Sequence, residues 1–153
     1  MDDEYVFGEE YHYDYDADHW LIEESPGQYR SGGTSDFTDL RVWQDSMDLA
    51  VRVYRITESF PREERIGLSG QMRRCAVSVP SNIAEGQARG SVKDFARFLN
   101  MARGSVSELQ TQILLGQRLG YLDESESHLA LEHAMRVTRQ VSALTRSILA
   151  NLN

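Results

Sequence analysis

Residues 95–116, FARFLNMARGSVSELQTQILLG, carry the most regular apolar pattern in the chain. Their apolar and small residues recur at spacings of three and four, at Phe95, Phe98, Ala102, Val106, Leu109, Ile113 and Gly116. This spacing places them on one face of an α-helix that packs against other helices. Ser91 ahead of Asp94 is typical of an N-terminal cap, and Gly120 is typical of a C-terminal one.

Three further apolar stripes with helical spacing surround this segment. They comprise Leu40, Trp43, Met47, Ala50, Val51 and Tyr54; then Leu68, Met72, Cys75, Val79 and Ile83; and finally Leu129, Val137, Val141, Leu144 and Ile148. The first stripe ends before Pro61, and no strand-length alternation interrupts the four. The pattern predicts an all-α fold, an antiparallel up-down four-helix bundle over residues 37–153.

Charge divides the chain into two parts that suggest different partners. The whole chain has 153 residues and a net charge of −8, but residues 1–36 hold eleven acidic groups against Arg30 alone. This segment also contains five of the seven tyrosines, so it predicts a disordered or loosely ordered acidic arm with a flexible linker. The remaining 117 residues have a net charge of +2, and all but Lys93 of their fifteen basic residues are arginines.

The basic residues are densest between positions 62 and 103, where they exceed the acids by four. Arginine suits bidentate contact with phosphate or carboxylate. Candidate polyanion contacts are Arg73, Arg74, Arg89, Lys93 and Arg97, the last three recurring every four residues. The alternative is a solvated surface with weak ion pairs to Asp94 and its neighbours.

Three segments together resemble a known family: DLRVWQDSMDLA (39–50), GLSGQMRRCAVSVPSNIAEG (67–86) and FLNMARGSVSELQTQILLGQRLGYL (98–122). They are similar to the four-helix bundle proteins encoded in intervening sequences of bacterial large-subunit ribosomal RNA genes. That family is related to the accessory variability determinant of diversity-generating retroelements. The resemblance covers residues 37 to about 150, although Cys75 stands where alanine is usual and the acidic arm lies outside the pattern.

The resemblance implies an up-down bundle that assembles as a homopentamer. For the retroelement members it also implies binding of nucleic acid and of a reverse transcriptase. Five copies of a modest basic patch on one ring would add their fields, so a ring would hold a polyanion that a monomer barely holds.

The SVPSN segment predicts a bend in the second helix. Pro80 removes one backbone donor and frees a carbonyl, and Ser78, Ser81 and Asn82 can satisfy the freed groups locally. The alternative is that the bend exposes Ser81, Asn82 and Glu85 for a ligand or subunit contact. Glu108 in the third helix is predicted to pair with Arg73 or Arg74, within one chain or between subunits, rather than to act in catalysis.

No constellation of catalytic residues is visible in the sequence. A di-iron site in a bundle needs Glu-x-x-His motifs, yet Ser125 and Ala130 precede His128 and His133 by three positions. Neither a phosphate-binding glycine loop nor a nucleophile with its base is present. We therefore expect no enzyme activity, no metal and no cofactor. Without a signal sequence or an apolar span, we expect a cytoplasmic protein without membrane contact.

Three roles are open to the acidic arm. It is a solvated tail, or it folds back on the arginine-rich bundle as a nucleic-acid mimic, or it docks a protein partner through Trp20, Leu21 and Ile22. For the whole chain, the main hypothesis is a non-enzymatic, homo-oligomeric and nucleic-acid-associated accessory protein, assisting a reverse transcriptase or a process linked to ribosomal RNA. The alternative is a protein-binding scaffold ring without nucleic-acid affinity, in which the arginines serve subunit pairing.

Overall fold

The computed structural model describes residues 36–150. Four helices make up most of this range: α1 (Arg41–Ile56), α2 (Leu68–Ala88), α3 (Val92–Arg118) and α4 (Glu124–Ala150). Two short 3₁₀ turns, Phe37–Asp39 and Arg62–Arg65, precede α1 and α2. The described range contains no strand, so the predicted all-α four-helix fold is confirmed.

The helices pack in chain order around one core. Contacts join α1 to α2, α2 to α3, α3 to α4, and α4 back to α1. Within residues 36–150 the diagonal pairs, α1 with α3 and α2 with α4, make no comparable contact. Short connections between successive neighbours are typical of an up-down bundle. No helix in this range is both long enough and apolar enough to cross a membrane.

The helix ends follow the sequence signals. The Ser91 hydroxyl accepts a hydrogen bond from the backbone N–H of Asp94 at 3.4 Å, which caps α3. Gly120, just after α3, has a φ of 75°, a conformation that favours glycine. The Asp123 carboxylate accepts from the backbone N–H of Glu126 at 2.7 Å and caps α4.

The stripe on α3 supplies much of the core. All seven of its predicted residues are buried, and Phe95 is the largest side chain that is almost completely enclosed. On α2, Met72, Cys75, Val79 and Ile83 are also buried. Since each fully buried aliphatic or aromatic side chain contributes about 1.5–3 kcal/mol, this α2–α3 seam anchors the bundle.

The predicted stripe on α1 is partly wrong. Met47, Val51 and Tyr54 are 40%, 47% and 44% exposed. The buried face consists instead of Val42, Ser46, Leu49, Ala50, Val53 and Ile56. Apolar residues on α1 extend well beyond the core face, and a serine lies within that face because its hydroxyl donates to the Trp43 carbonyl at 2.7 Å.

The predicted stripe on α4 also needs one correction. Leu129 is 43% exposed, whereas Val137, Val141 and Ile148 are buried as expected. Ala130, Ala134 and His133 face the interior near the start of the helix. Small side chains there let α4 approach its neighbours closely, so a leucine is not needed at this level of the core.

Candidate functional site

Arg73 belongs to the α1–α2 seam. Its Nε donates to the Thr57 hydroxyl at 2.9 Å, and its guanidinium carbon lies 4.8 Å from the centre of the Tyr54 ring. A further hydrogen bond of 3.4 Å reaches the Tyr54 carbonyl. Arg73 thus stabilises helix packing with two of its five N–H donors and with its contact to the Tyr54 ring, which sets it apart from the other predicted cations.

Arg74 lies about 100° around α2 from Arg73 and lines an open groove between α2 and α3. The groove has a volume of about 270 Å³ and is lined by Gln71, Arg74, Cys75, Ser78 and Glu108. Arg74 is exposed, and within residues 36–150 it has no ion-pair partner. Its guanidinium is therefore available to an outside group.

Glu108 does not pair with Arg73 or Arg74 among the described residues, so the within-chain form of that prediction is wrong. Its Oε1 instead accepts from Nε2 of Gln112, one helical turn away, at 3.3 Å. The same amide nitrogen lies 3.5 Å from Sγ of Cys75. Burial, together with the nearby Glu108 carboxylate, raises the pKa of the Cys75 thiol to about 11. The thiol is therefore protonated and unreactive at neutral pH.

Arg89 and Arg97 both lie against Phe98, and we call these three residues, together with Lys93 between the two arginines in sequence, the Phe98 cluster. The guanidinium carbons of Arg89 and Arg97 lie 5.4 Å and 4.9 Å from the centre of the Phe98 ring. Both are within the range of a cation–π contact. One aromatic ring thus holds two arginines from different helices close together, since Arg89 caps the end of α2 and Arg97 lies in the second turn of α3.

Acidic residues partly neutralise the Phe98 cluster. Glu85 forms an ion pair with Arg89, and Asp94 lies 3.8 Å from Arg97. In both pairs the side chains are roughly half exposed, so each contributes little stability and exchanges readily with other partners. Lys93 is exposed and has no ion-pair partner within the described range. Three cations against two carboxylates leave a local excess of one positive charge.

The polar residues around Pro80 bond to their own helix. The Ser78 hydroxyl donates to the Cys75 carbonyl at 2.9 Å, and the Ser81 hydroxyl to the Val77 carbonyl at 2.8 Å. The Asn82 amide donates to the Ser78 carbonyl at 2.7 Å. Helix α2 continues through the buried Pro80 from Leu68 to Ala88. These bonds are local to α2, but none of them reaches the Ala76 carbonyl that Pro80 frees, so both interpretations of SVPSN stay predictions.

Sequence reasoning missed a polar network between α1 and α4. Asp45 accepts from Nε of Arg136 at 3.3 Å and from the Gln140 amide at 2.6 Å. His133, only 5% exposed, contacts Nε of Arg52 and the Asp45 carbonyl. The bonded residues of this network are 81 to 95 positions apart in sequence, so no spacing rule could reveal it. It fixes the packing of α1 on α4, although Oε1 of Gln140 is buried without a hydrogen-bond partner among the described residues.

The role of Phe98 in holding two arginines was also missed, because its position in the apolar stripe predicts only burial. The predicted anchor residues Trp20, Leu21 and Ile22 lie outside the described residues. Among residues 36–150, no three histidine, cysteine or acidic side chains lie close enough together to hold a metal ion.

Comparisons with known proteins agree on the helical region. Residues 38–152 match the family described as 23S rRNA-intervening sequence protein. The fold is similar to a 1.70 Å crystal structure of a protein with unknown function from the S23 ribosomal protein family, from Bacteroides thetaiotaomicron VPI-5482. The TM-score is 0.64 and the sequence identity 22%, over 69% of this chain and 95% of that one. No curated protein matches this chain.

Proposed function

Because this chain belongs to the 23S rRNA-intervening sequence protein family, we propose that it is a non-enzymatic, cytoplasmic accessory protein that binds nucleic acid. We propose that it binds as a homo-oligomer, and specifically as a pentamer. Its partner process would be one linked to ribosomal RNA or to a reverse transcriptase. The observation that carries the proposal is the Phe98 cluster, in which arginines from α2 and α3 lie against one aromatic ring and Lys93 lies between them in sequence.

The chemistry of this cluster suits phosphate. A guanidinium held against an aromatic ring by a cation–π contact keeps its N–H donors, and those N–H groups can donate to an anion. The carboxylates of Glu85 and Asp94 hold the arginines in place only weakly, so a phosphodiester can replace them. A single cluster carries a small net positive charge, so one copy binds phosphate weakly. Several copies on one oligomer would contact several phosphates of the same nucleic acid and so raise its affinity.

A triple variant tests this function. Replacing Arg89, Lys93 and Arg97 with alanine should weaken binding of a generic single-stranded RNA and lower the dependence of log affinity on log salt by about 2. The matched control replaces Arg103, Arg139 and Arg146, three exposed arginines elsewhere on the bundle, and removes the same charge. The control should keep most of the salt dependence. Equal losses of RNA affinity and of salt dependence in the two triple variants would overturn a specific role for the Phe98 cluster.

A second candidate function is a scaffold ring without nucleic-acid affinity. It is favoured by Met101, Leu115 and Leu119, which are 49%, 46% and 50% exposed on one side of α3, on either side of Glu108. Apolar side chains beside unpaired Arg74 and Glu108 are typical of a subunit contact. Light scattering separates the two functions. If the triple variant of the Phe98 cluster dissociates into monomers, the arginines serve subunit pairing, and the scaffold hypothesis gains.

A further inference from the structure

Four exposed apolar side chains form a patch across α1 and α2. Met47, Val51 and Tyr54 follow one another at spacings of four and three on α1, and Val77 lies on α2. Each is between 40% and 47% exposed. We call these four residues the α1–α2 patch. Single exposed apolar residues are ordinary, but a continuous group of them marks a surface that another segment covers.

Arg73 joins the two halves of the patch. Its guanidinium lies over the Tyr54 ring, and Val77 follows it by one turn of α2. Because α2 runs antiparallel to α1, that turn places Val77 beside the middle of α1, at the level of Val51. The patch therefore runs as one strip along the seam and does not consist of separate spots.

The described chain begins at one end of this strip. The 3₁₀ turn Phe37–Asp39 contacts both α1 and α2. The Phe37 ring packs edge-on against Trp43, with ring centres 5.3 Å apart, and the Gln44 amide donates to the Thr38 carbonyl at 2.8 Å. Trp43 precedes Met47 by one turn. The preceding 35 residues therefore join the bundle beside the α1–α2 patch.

The sequence of that preceding segment complements the patch. Trp20, Leu21 and Ile22 are three consecutive large apolar residues, with acids on both sides at Asp16, Asp18, Glu23 and Glu24. On the bundle, Arg55 follows Val51 by one turn and is exposed, and Arg73 lies over Tyr54 at the end of the strip. An apolar anchor flanked by acids thus meets an apolar strip with two arginines at one end.

The length of the linker allows this contact. Thirteen residues lie between Ile22 and Asp36, and the fourteen steps of an extended chain, at about 3.3 Å each, span about 46 Å. The strip from the start of α1 to Tyr54 measures about 20 Å at the helical rise of 1.5 Å per residue. The anchor can therefore reach any point of the patch without strain.

From these observations we propose that Trp20, Leu21 and Ile22 pack on the α1–α2 patch of their own chain. The arm is then an intramolecular cover for an apolar strip, fixed by its anchor and oriented by its acids toward Arg55 and Arg73. This inference does not rest on nucleic-acid binding, since it concerns a different face of the bundle from the α2–α3 groove.

Tryptophan fluorescence tests the contact in the full chain. Trp43→Phe keeps the aromatic contact with Phe37 and leaves Trp20 as the only tryptophan. We expect Trp20 emission shifted to the blue, with acrylamide quenching several-fold weaker than for the protein in urea. Adding Val77→Asp should return the emission wavelength and the acrylamide quenching of Trp20 to solvent-like values. The matched control Met135→Asp changes an equally exposed residue on α4 and should leave them unchanged.

Three results would overturn the inference. The first is solvent-like Trp20 emission in the Trp43→Phe protein. The second is a change in Trp20 emission and quenching that is no larger for Val77→Asp than for Met135→Asp. The third is loss of Trp20 protection on dilution, which would assign the patch to a second copy of the chain. Hydrogen exchange of the 20–22 amides in the natural sequence, with and without Val77→Asp, repeats the test without altering Trp43. Neither measurement uses nucleic acid, so the outcome is independent of the proposed function.

Discussion

Arg52 on α1 donates its Nε hydrogen to Nδ1 of His133 on α4, across 3.4 Å. This contact requires an unprotonated Nδ1, so the hydrogen of the neutral ring resides on Nε2. Nε2 lies 3.1 Å from the Asp45 carbonyl oxygen, to which it can donate. Both ring nitrogens are thus satisfied only in the neutral form of the imidazole.

The neutral state of His133 makes the stability of the bundle depend on pH. Burial, reinforced by the charges of Arg136 and Arg52, lowers the pKa of His133 to about 4. An unfolded histidine titrates near 6.5, so the unfolded chain takes up a proton first as the pH falls. We expect this residue to remove about 2 kcal/mol of unfolding free energy between pH 7 and pH 5, and little more below pH 4.

Denaturant unfolding followed by circular dichroism, at a fixed protein concentration, checks this effect. His133→Gln keeps an acceptor for Arg52 and a donor for the Asp45 carbonyl but cannot titrate, so its stability should change less over the same pH range. His128→Gln is the matched control, because that side chain is exposed beside Glu132. If wild type and His133→Gln lose stability equally, His133 is not the titrating group.

Arg73 and Arg74 are adjacent in sequence but should differ in their effect on stability. Arg73→Ala removes a charged donor from the buried Thr57 hydroxyl and a cation from the Tyr54 ring, at an expected cost of about 1–2 kcal/mol. Arg74→Ala alters an exposed side chain and should change stability by less than about 0.5 kcal/mol. Urea unfolding of the two variants measures the difference. Equal costs would contradict the assignment of Arg73 to the helix seam.

Replacing either of two helical glycines with alanine should change the stability of the bundle, in opposite directions. A Cβ on Gly86 would lie 2.6 Å from Cβ of Phe98, so α2 and α3 would have to separate. We expect Gly86→Ala to cost about 1–3 kcal/mol and to disturb the Phe98 cluster. A Cβ on Gly104 meets nothing within 4 Å, so Gly104→Ala should gain about 0.5–1 kcal/mol from helix propensity.

Thermal unfolding compares the two glycine variants, and light scattering reports their size. A lower melting temperature for Gly86→Ala and a higher one for Gly104→Ala, at unchanged mass, is the expected result. If Gly104→Ala instead reduces the mass of the oligomer, Gly104 lies at a close contact between subunits, and the scaffold hypothesis gains support.

The sequence predicts the helices better than it predicts their orientation. The stripe on α3 identifies the core face correctly, because all seven of its residues are buried. On α1, apolar residues cover more than the core face, so periodicity selects Met47 and Val51 where the structure buries Leu49 and Val53. The spacing of Arg89, Lys93 and Arg97 likewise predicts a ridge, while the convergence on Phe98 depends on how closely two helices pack.

The reactivity of Cys75 tests the environment of the α2–α3 groove directly. Cys75 is 8% exposed, and the pKa of its thiol, about 11, is raised by burial first and by Glu108 second. At pH 8 only about one thiol in a thousand is ionised, so alkylation by iodoacetamide should be roughly a hundredfold slower than in urea.

Glu108→Gln removes the negative charge near Cys75 and should speed alkylation of the folded protein. Glu85→Gln, which alters a carboxylate on the same face that pairs with Arg89, should leave the rate unchanged. Rapid alkylation of the folded wild-type protein at pH 8, or equal rates for both variants, would contradict the described groove.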